Sequence, residues 1–188
     1  MEAHTGYICQ GSGRIGHWFT YVDSYSTSSR ISPAPNDTAP VLPELLSTAR
    51  GTSQYAMHMT GTYYEYAGMG CVLNNATFGA VPKTFNATGL TGVTFYAKGS
   101  GGLRLLINTS GTVSTEFGGK CDATVYSCIG AYTTVSGLSS STWNVFKVSF
   151  ASLLSGTTAF DITDLWSINF EPTSLASFDL WVDDVSFY

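Results

Sequence analysis

The sequence is 188 residues long and carries a formal charge of −5, from 8 Lys and Arg against 13 Asp and Glu. That size suits one domain with a single sizeable core, and with no run of Lys or Arg the phosphate contacts of a nucleic-acid binder are excluded. Charged residues make up only 11% and aromatic ones 14%, with Gly, Ser, Thr and Asn abundant, a mixture that favours short strands and tight turns over helices.

Residues 1–6 are expected to be a flexible end. Met1-Glu2-Ala3-His4 lacks the basic-then-apolar pattern of a signal peptide, so any export signal is expected to have been removed. No segment reaches the roughly 20 apolar residues of a membrane-spanning helix. Gly11 to Asp23 passes from a Gly-rich turn into a strand, with Trp18, Thr20 and Val22 on one side and His17, Phe19, Tyr21 and Asp23 on the other. Ser24 to Pro43 reads as a long loop. In SQYAMHMTG, Tyr55, Met57 and Met59 are assigned to the core and His58 and Thr60 to the opposite face. Tyr63, Tyr64 and Tyr66 crowd an expected loop before a short strand, Cys71-Val72-Leu73.

Leu90 to Gly99 alternates, with Val93, Phe95 and Ala97 buried opposite Thr94, Tyr96 and Lys98. Ser100-Gly101-Gly102 is expected to turn it into a hairpin with LRLLINTS, whose buried row is Leu103, Leu105 and Ile107. Arg104 and Asn108 then share the open face with Tyr96. Thr112 to Tyr132 is the least regular part. Trp143 to Phe150 and LWSINFEP supply two further strands. FDLWVDDVSFY closes the fold, burying Phe178, Leu180 and Val182 and leaving Asp179 and Trp181 outward. Seven to nine strands without a convincing helix indicate an all-β, single-domain β-sandwich.

Cys121 and Cys128 enclose six residues in a Gly-rich segment, which suits a disulfide pinning a loop. Cys9 and Cys71 could form a second bridge; four cysteines allow three pairings, and four buried free thiols are the alternative. The low charge and high Thr content fit an exported, oxidising setting.

The run VTFYAKGSGGLRLLINT, then WNVFKVSFASL, LWSINFEP and FDLWVDDVSFY, resembles the galactose-binding-like jelly rolls of carbohydrate-binding modules, most of all the group around family 11. GRIGHWFTYVD and GTSQYAMHMTG extend the resemblance over nearly the whole chain, residues 1–188. The family's usual Trp in FWAKG is Tyr96 here. The resemblance implies a jelly roll of two antiparallel sheets whose concave face binds a polysaccharide, β-glucan or cellulose above others, without catalysis. It also implies a secreted, extracellular, monomeric module attached to a glycoside hydrolase domain, often with one structural calcium. Asp183 and Asp184 lie where such modules bring carboxylates to the metal, with Asp23 as their partner.

Tyr96, Arg104, Asn108, Asn169, Glu171, Asp179 and Trp181 all stand opposite the buried row of their own strands, and His58 and Glu116 are candidates to join them. Aromatic platforms with Asn, Arg and carboxylates match the apolar faces and hydroxyl rims of sugars. A structural Trp181 and a plain Arg104–Glu171 ion pair are the competing explanations. The rival function is a small jelly-roll polysaccharide hydrolase or lyase using Glu116, Glu171 or Asp179, although no spacing pairs them. H-E-x-x-H, G-x-S-x-G and the P-loop are all absent. His4, His17 and His58 form no metal-ligand pattern. An adhesion or protein-interaction domain is the third reading.

Overall fold

The structure is a computed structural model that describes residues 4–8, 14–23, 30–63, 65–75, 77–174 and 177–188. The period-two rows become strands β1 (Trp18–Val22), β2 (Ile31–Ser32), β3 (Glu44–Arg50), β4 (Ser53–Gly61), β5 (Ala67–Val72), β6 (Gly92–Ser100), β7 (Leu103–Thr109), β8 (Ala131–Val135), β9 (Asn144–Ser149), β10 (Leu165–Glu171) and β11 (Phe178–Phe187). One sheet has the order β1-β5-β10-β7-β8 and the other β2-β4-β11-β6-β9, with β3 paired to β4. All the pairings between these strands are antiparallel. The all-β sandwich is as expected.

The alternating residues of both sheets meet in one core. Leu105, Ile107, Ile168 and Phe170 come from the first sheet, and Met57, Phe95, Leu180 and Val182 from the second. Phe95 and Phe170 meet edge to face across it, 5.0 Å between ring centroids, the arrangement that aromatic quadrupoles favour. Sharing one core fixes the geometry of function: residues opposite the core on the two sheets emerge on opposite sides of the molecule.

Several sequence-based assignments are corrected. The 90–99 and 103–110 strands do not form a hairpin, because β6 and β7 lie in different sheets. Phe95 and Leu105 can both reach the core only from opposite sides of it, and positive φ at Gly101 (90°) and Gly102 (71°) lets the chain cross between the sheets. Strand β2 arises inside the stretch read as a long loop, and β8 begins inside the one read as least regular. Strand β5 begins at Ala67 instead of Cys71. Its glycines mask a regular alternation in which Ala67, Met69 and Cys71 enter the core.

The Cys121–Cys128 disulfide forms. The expected Cys9–Cys71 bridge does not: Cys71 is a free, buried thiol, and Cys9 lies outside the described residues. Burial pushes the Cys71 thiol up to about 12, which removes the reactive thiolate at neutral pH. Iodoacetamide at pH 8 should therefore leave Cys71 unmodified in the native protein and label it after denaturation, as read by peptide mass mapping. Rapid labelling of native Cys71 would refute this account of its burial.

Candidate functional site

The outer face of the five-stranded sheet is built from residues whose neighbours in their own strands fill the core. Register places Phe19 opposite Gly70, Gly70 opposite Asn169, Asn169 opposite Leu106 and Leu106 opposite Tyr132, one row across all five strands. The next row carries Tyr21 opposite Gly68, and Glu171 opposite Arg104. Two glycines on one face of β5 leave a trough, and flanking side chains lean into it. A Cβ at Gly68 would fall 2.4 Å from the Tyr21 ring, and one at Gly70 2.5 Å from Asn169 Oδ1. The close approach, not backbone strain, requires glycine there.

A polar network crosses the trough. The Tyr21 hydroxyl donates to Glu171 Oε1 at 2.7 Å, and Arg104 Nε and Nη2 donate to Glu171 Oε2. Asn169 Nδ2 donates to the Tyr21 oxygen at 3.3 Å, while Asn169 Oδ1 is buried and has no hydrogen-bond partner among the described residues. Burial, then the charge and hydrogen bond of Glu171, hold the Tyr21 phenol well above its ordinary value, so it remains a donor. Around this floor stand aromatic rings. Tyr21 packs near Phe19 and Tyr66 at 5.9 and 6.3 Å, and Arg104 lies 5.5 Å from the Tyr132 ring. Tyr66 remains 45% exposed.

The expected single face is therefore two. Arg104, Asn108, Asn169 and Glu171 lie on the five-stranded sheet, whereas His58, Tyr96, Asp179 and Trp181 lie on the six-stranded one. Asn108 is committed to its surroundings, donating from Nδ2 to Ser167 Oγ at 3.1 Å. Glu116 is exposed in a 3₁₀ turn, Thr115–Phe117, in the loop that follows β7.

On the six-stranded face the rings are already occupied. His58 of β4 stacks on Trp181 of β11, with centroids 3.7 Å apart and 12° between planes, and Lys98 of β6 brings Nζ to 5.0 Å from the same ring. His58 Nδ1 and Nε2 lie 2.7 Å from Glu44 Oε2 and 3.1 Å from Asp179 Oδ1. Arg50 of β3 lies 3.9 Å from the centre of the Tyr96 ring. These rings face protein cations, and a sugar would have to displace them.

The carboxylates expected to hold calcium have other work. Asp183, with no exposed side-chain surface, accepts from Arg50 Nη2 at 2.7 Å, from Arg50 Nε at 3.1 Å and from Ser53 Oγ at 2.7 Å; Asp184 also accepts from Arg50. Asp23 instead accepts the backbone N–H groups of Glu65 and Tyr66, beyond the end of β1 in the other sheet. Calcium needs six to eight oxygens around it, and the oxygens of Asp183 and Asp184 are engaged by the Arg50 guanidinium. Among the described residues no group of three or more His, Cys, Asp or Glu side chains could hold a metal ion.

Sequence reasoning passed over Phe19, Tyr21, Tyr132, Gly68 and Gly70. The signal for the first two was present in WFTYV, where the two rings occupy the side that Trp18, Thr20 and Val22 leave free. Nothing in AGMGCV marks its glycines as a trough until the neighbouring strands are known.

No protein-family model and no curated protein matches this sequence. Its fold is nevertheless that of solved carbohydrate-binding modules. The family 30 module of a cellulosomal cellulase of Clostridium thermocellum is 13% identical with a TM-score of 0.60, over 97% of this chain and 96% of that one. The family 11 module from Clostridium thermocellum, in complex with a β-1,3-1,4-mixed-linked tetrasaccharide, is 15% identical with a TM-score of 0.53, over 89% of this chain and 86% of that one. The likeness establishes the two-sheet jelly roll that the sequence motifs led us to expect.

Proposed function

We propose that the chain is a non-catalytic polysaccharide-binding module whose ligand lies across the outer face of the five-stranded sheet. The observation that carries this reading is the trough over Gly68 and Gly70. Rings of Phe19, Tyr21, Tyr66 and Tyr132 stand around a fixed floor of Glu171, Arg104 and Asn169. Aromatic rings take the C–H faces of sugars, and the Arg104 guanidinium, with 34% of its side chain exposed, offers donors to their hydroxyls. The fold neighbours support the same ligand class, since one was solved with a mixed-linked tetrasaccharide. β-Glucan or cellulose is the proposed ligand, and delivery of an attached, secreted hydrolase to that polymer the proposed role. Affinity in such an open site is modest, because ordering the glycan offsets much of the contact energy.

Against a hydrolase that pairs Glu171 with Asp179 stands their disposition. Glu171 is held by Arg104 and Tyr21, and Asp179 is on the opposite side of the sandwich. They cannot flank one glycosidic bond.

The test is electrophoresis of the purified protein through gels containing barley β-glucan, xyloglucan, xylan or hydroxyethyl cellulose, with and without a calcium chelator. Retardation by a glucan is expected, unchanged by the chelator and without release of reducing sugar. Unretarded migration in all four gels would overturn the reading in favour of an adhesion or protein-interaction domain.

A further inference from the structure

The loop between β7 and β8, residues 110–130, is stiff for so exposed a segment. The carbonyls of Ser110, Val113 and Cys121 accept the N–H groups of Lys120, Cys121 and Thr115. Ser114 Oγ caps the 3₁₀ turn by accepting the Glu116 N–H, the Cys121–Cys128 disulfide closes the tip, and Ile129 N–H is anchored on Thr157 Oγ1 at 2.7 Å. Both ends of the loop press on Asn108 in the outward row of β7. Thr112 Oγ1 lies 3.4 Å from its Oδ1, and a Cβ at Gly130 would come within 2.4 Å of the same atom.

This braced loop turns large side chains to solvent: Phe117 is 67% exposed, Val125 65% and Tyr126 58%. Next to Phe117, Gly118 abuts Val81 of the loop after β5, whose Cγ1 would lie 2.4 Å from a Cβ at position 118. Val81 is itself exposed. An apolar ledge thus bridges two loops beside the five-stranded sheet. The base of the loop meets the ring-lined sheet at Asn108, in the same outward row of β7 as Leu106 and Arg104. A loop whose backbone is already tied in the free protein loses little freedom on binding.

We propose that the disulfide-closed loop is a second wall of the ligand site, on which Phe117 and Tyr126 stack sugar units beyond those covered by the sheet. The inference rests on the polysaccharide-binding reading above. It makes the site favour long chains over short ones.

Calorimetric titration of the full chain with barley β-glucan, and with the tetrasaccharide released from it, tests this. The Phe117→Ala/Tyr126→Ala variant is expected to lose about tenfold in polymer affinity, the scale of two aromatic contacts, and to keep its tetrasaccharide affinity. Cys121→Ser/Cys128→Ser, which retains both rings on a loosened loop, should show a polymer-only loss too; undiminished polymer affinity in it would overturn the part assigned to rigidity. Unchanged polymer affinity in the Ala variant, or equal losses for both ligands, would overturn the wall while leaving polysaccharide binding standing. A parent protein that binds neither ligand would overturn both.

Discussion

Replacing Arg50 with alanine is expected to lower the stability of the fold by about 3–5 kcal/mol, the usual cost of breaking a buried ion pair from one side. Asp183 has no exposed side-chain surface, Arg50 only 15%, and the guanidinium supplies the one cation on that carboxylate among the described residues. Without it, the Ser53 hydroxyl and the Asp184 N–H remain to solvate a buried charge, and the ring contacts of Arg50 with Tyr96 and Trp143 vanish as well. For a domain of this length the loss corresponds to a fall in Tm of roughly 6–20 °C. Urea unfolding measures it. Adding Asp183→Asn to the Arg50→Ala protein should restore part of the stability by removing the stranded charge, and a single-variant loss below about 1 kcal/mol would show that solvent reaches Asp183 unaided.

The second large effect is on binding. Tyr21→Ala removes the ring over Gly68, its contacts with Phe19 and Tyr66, and the hydroxyl that donates to Glu171. An aromatic contact of about 1–1.5 kcal/mol together with a reordered floor predicts at least a roughly tenfold weaker retardation constant in β-glucan gels. Tyr21→Phe, which keeps the ring, should fall between alanine and parent. Trp181→Ala, on the other sheet and already stacked on His58, should bind like the parent. If Trp181→Ala lost binding and Tyr21→Ala did not, the ligand would belong on the six-stranded face.

The reversal of emphasis from Trp181 to Tyr21 shows what a sequence discloses here. Alternation within a strand is local, so the buried rows of β6, β7, β10 and β11 could be read directly and match the core. Which sheet a strand joins depends on pairings between residues far apart in sequence, and no local pattern encodes it. Tyr96 and Arg104 were therefore placed on one surface when they stand on two. The turn at Ser100-Gly101-Gly102 misled for the same reason, because glycines that permit a hairpin equally permit a crossing between layers. Cys121–Cys128 was legible because six intervening residues in an irregular segment leave the two sulfurs near one another. Cys71 was not, because a buried thiol and half of a bridge look alike in a list of residues. The fold class followed from composition and alternation; the trough did not, since Gly68 and Gly70 acquire meaning only when Tyr21 and Asn169 lie beside them.

The strand orders also govern how the chain reaches its native state. The centre of one sheet is β10, flanked by β5 and β7, and β11 separates β4 from β6 in the other. Each sheet is thus completed by a strand that comes after all of its sheet partners in sequence. Until then β5, β7, β4 and β6 present open edges to solvent and to one another, the state in which β proteins stick together. Such dependence on distant pairings makes for slow folding. A chain ending before residue 165 should be made as an aggregating half-assembly, not as a smaller working module.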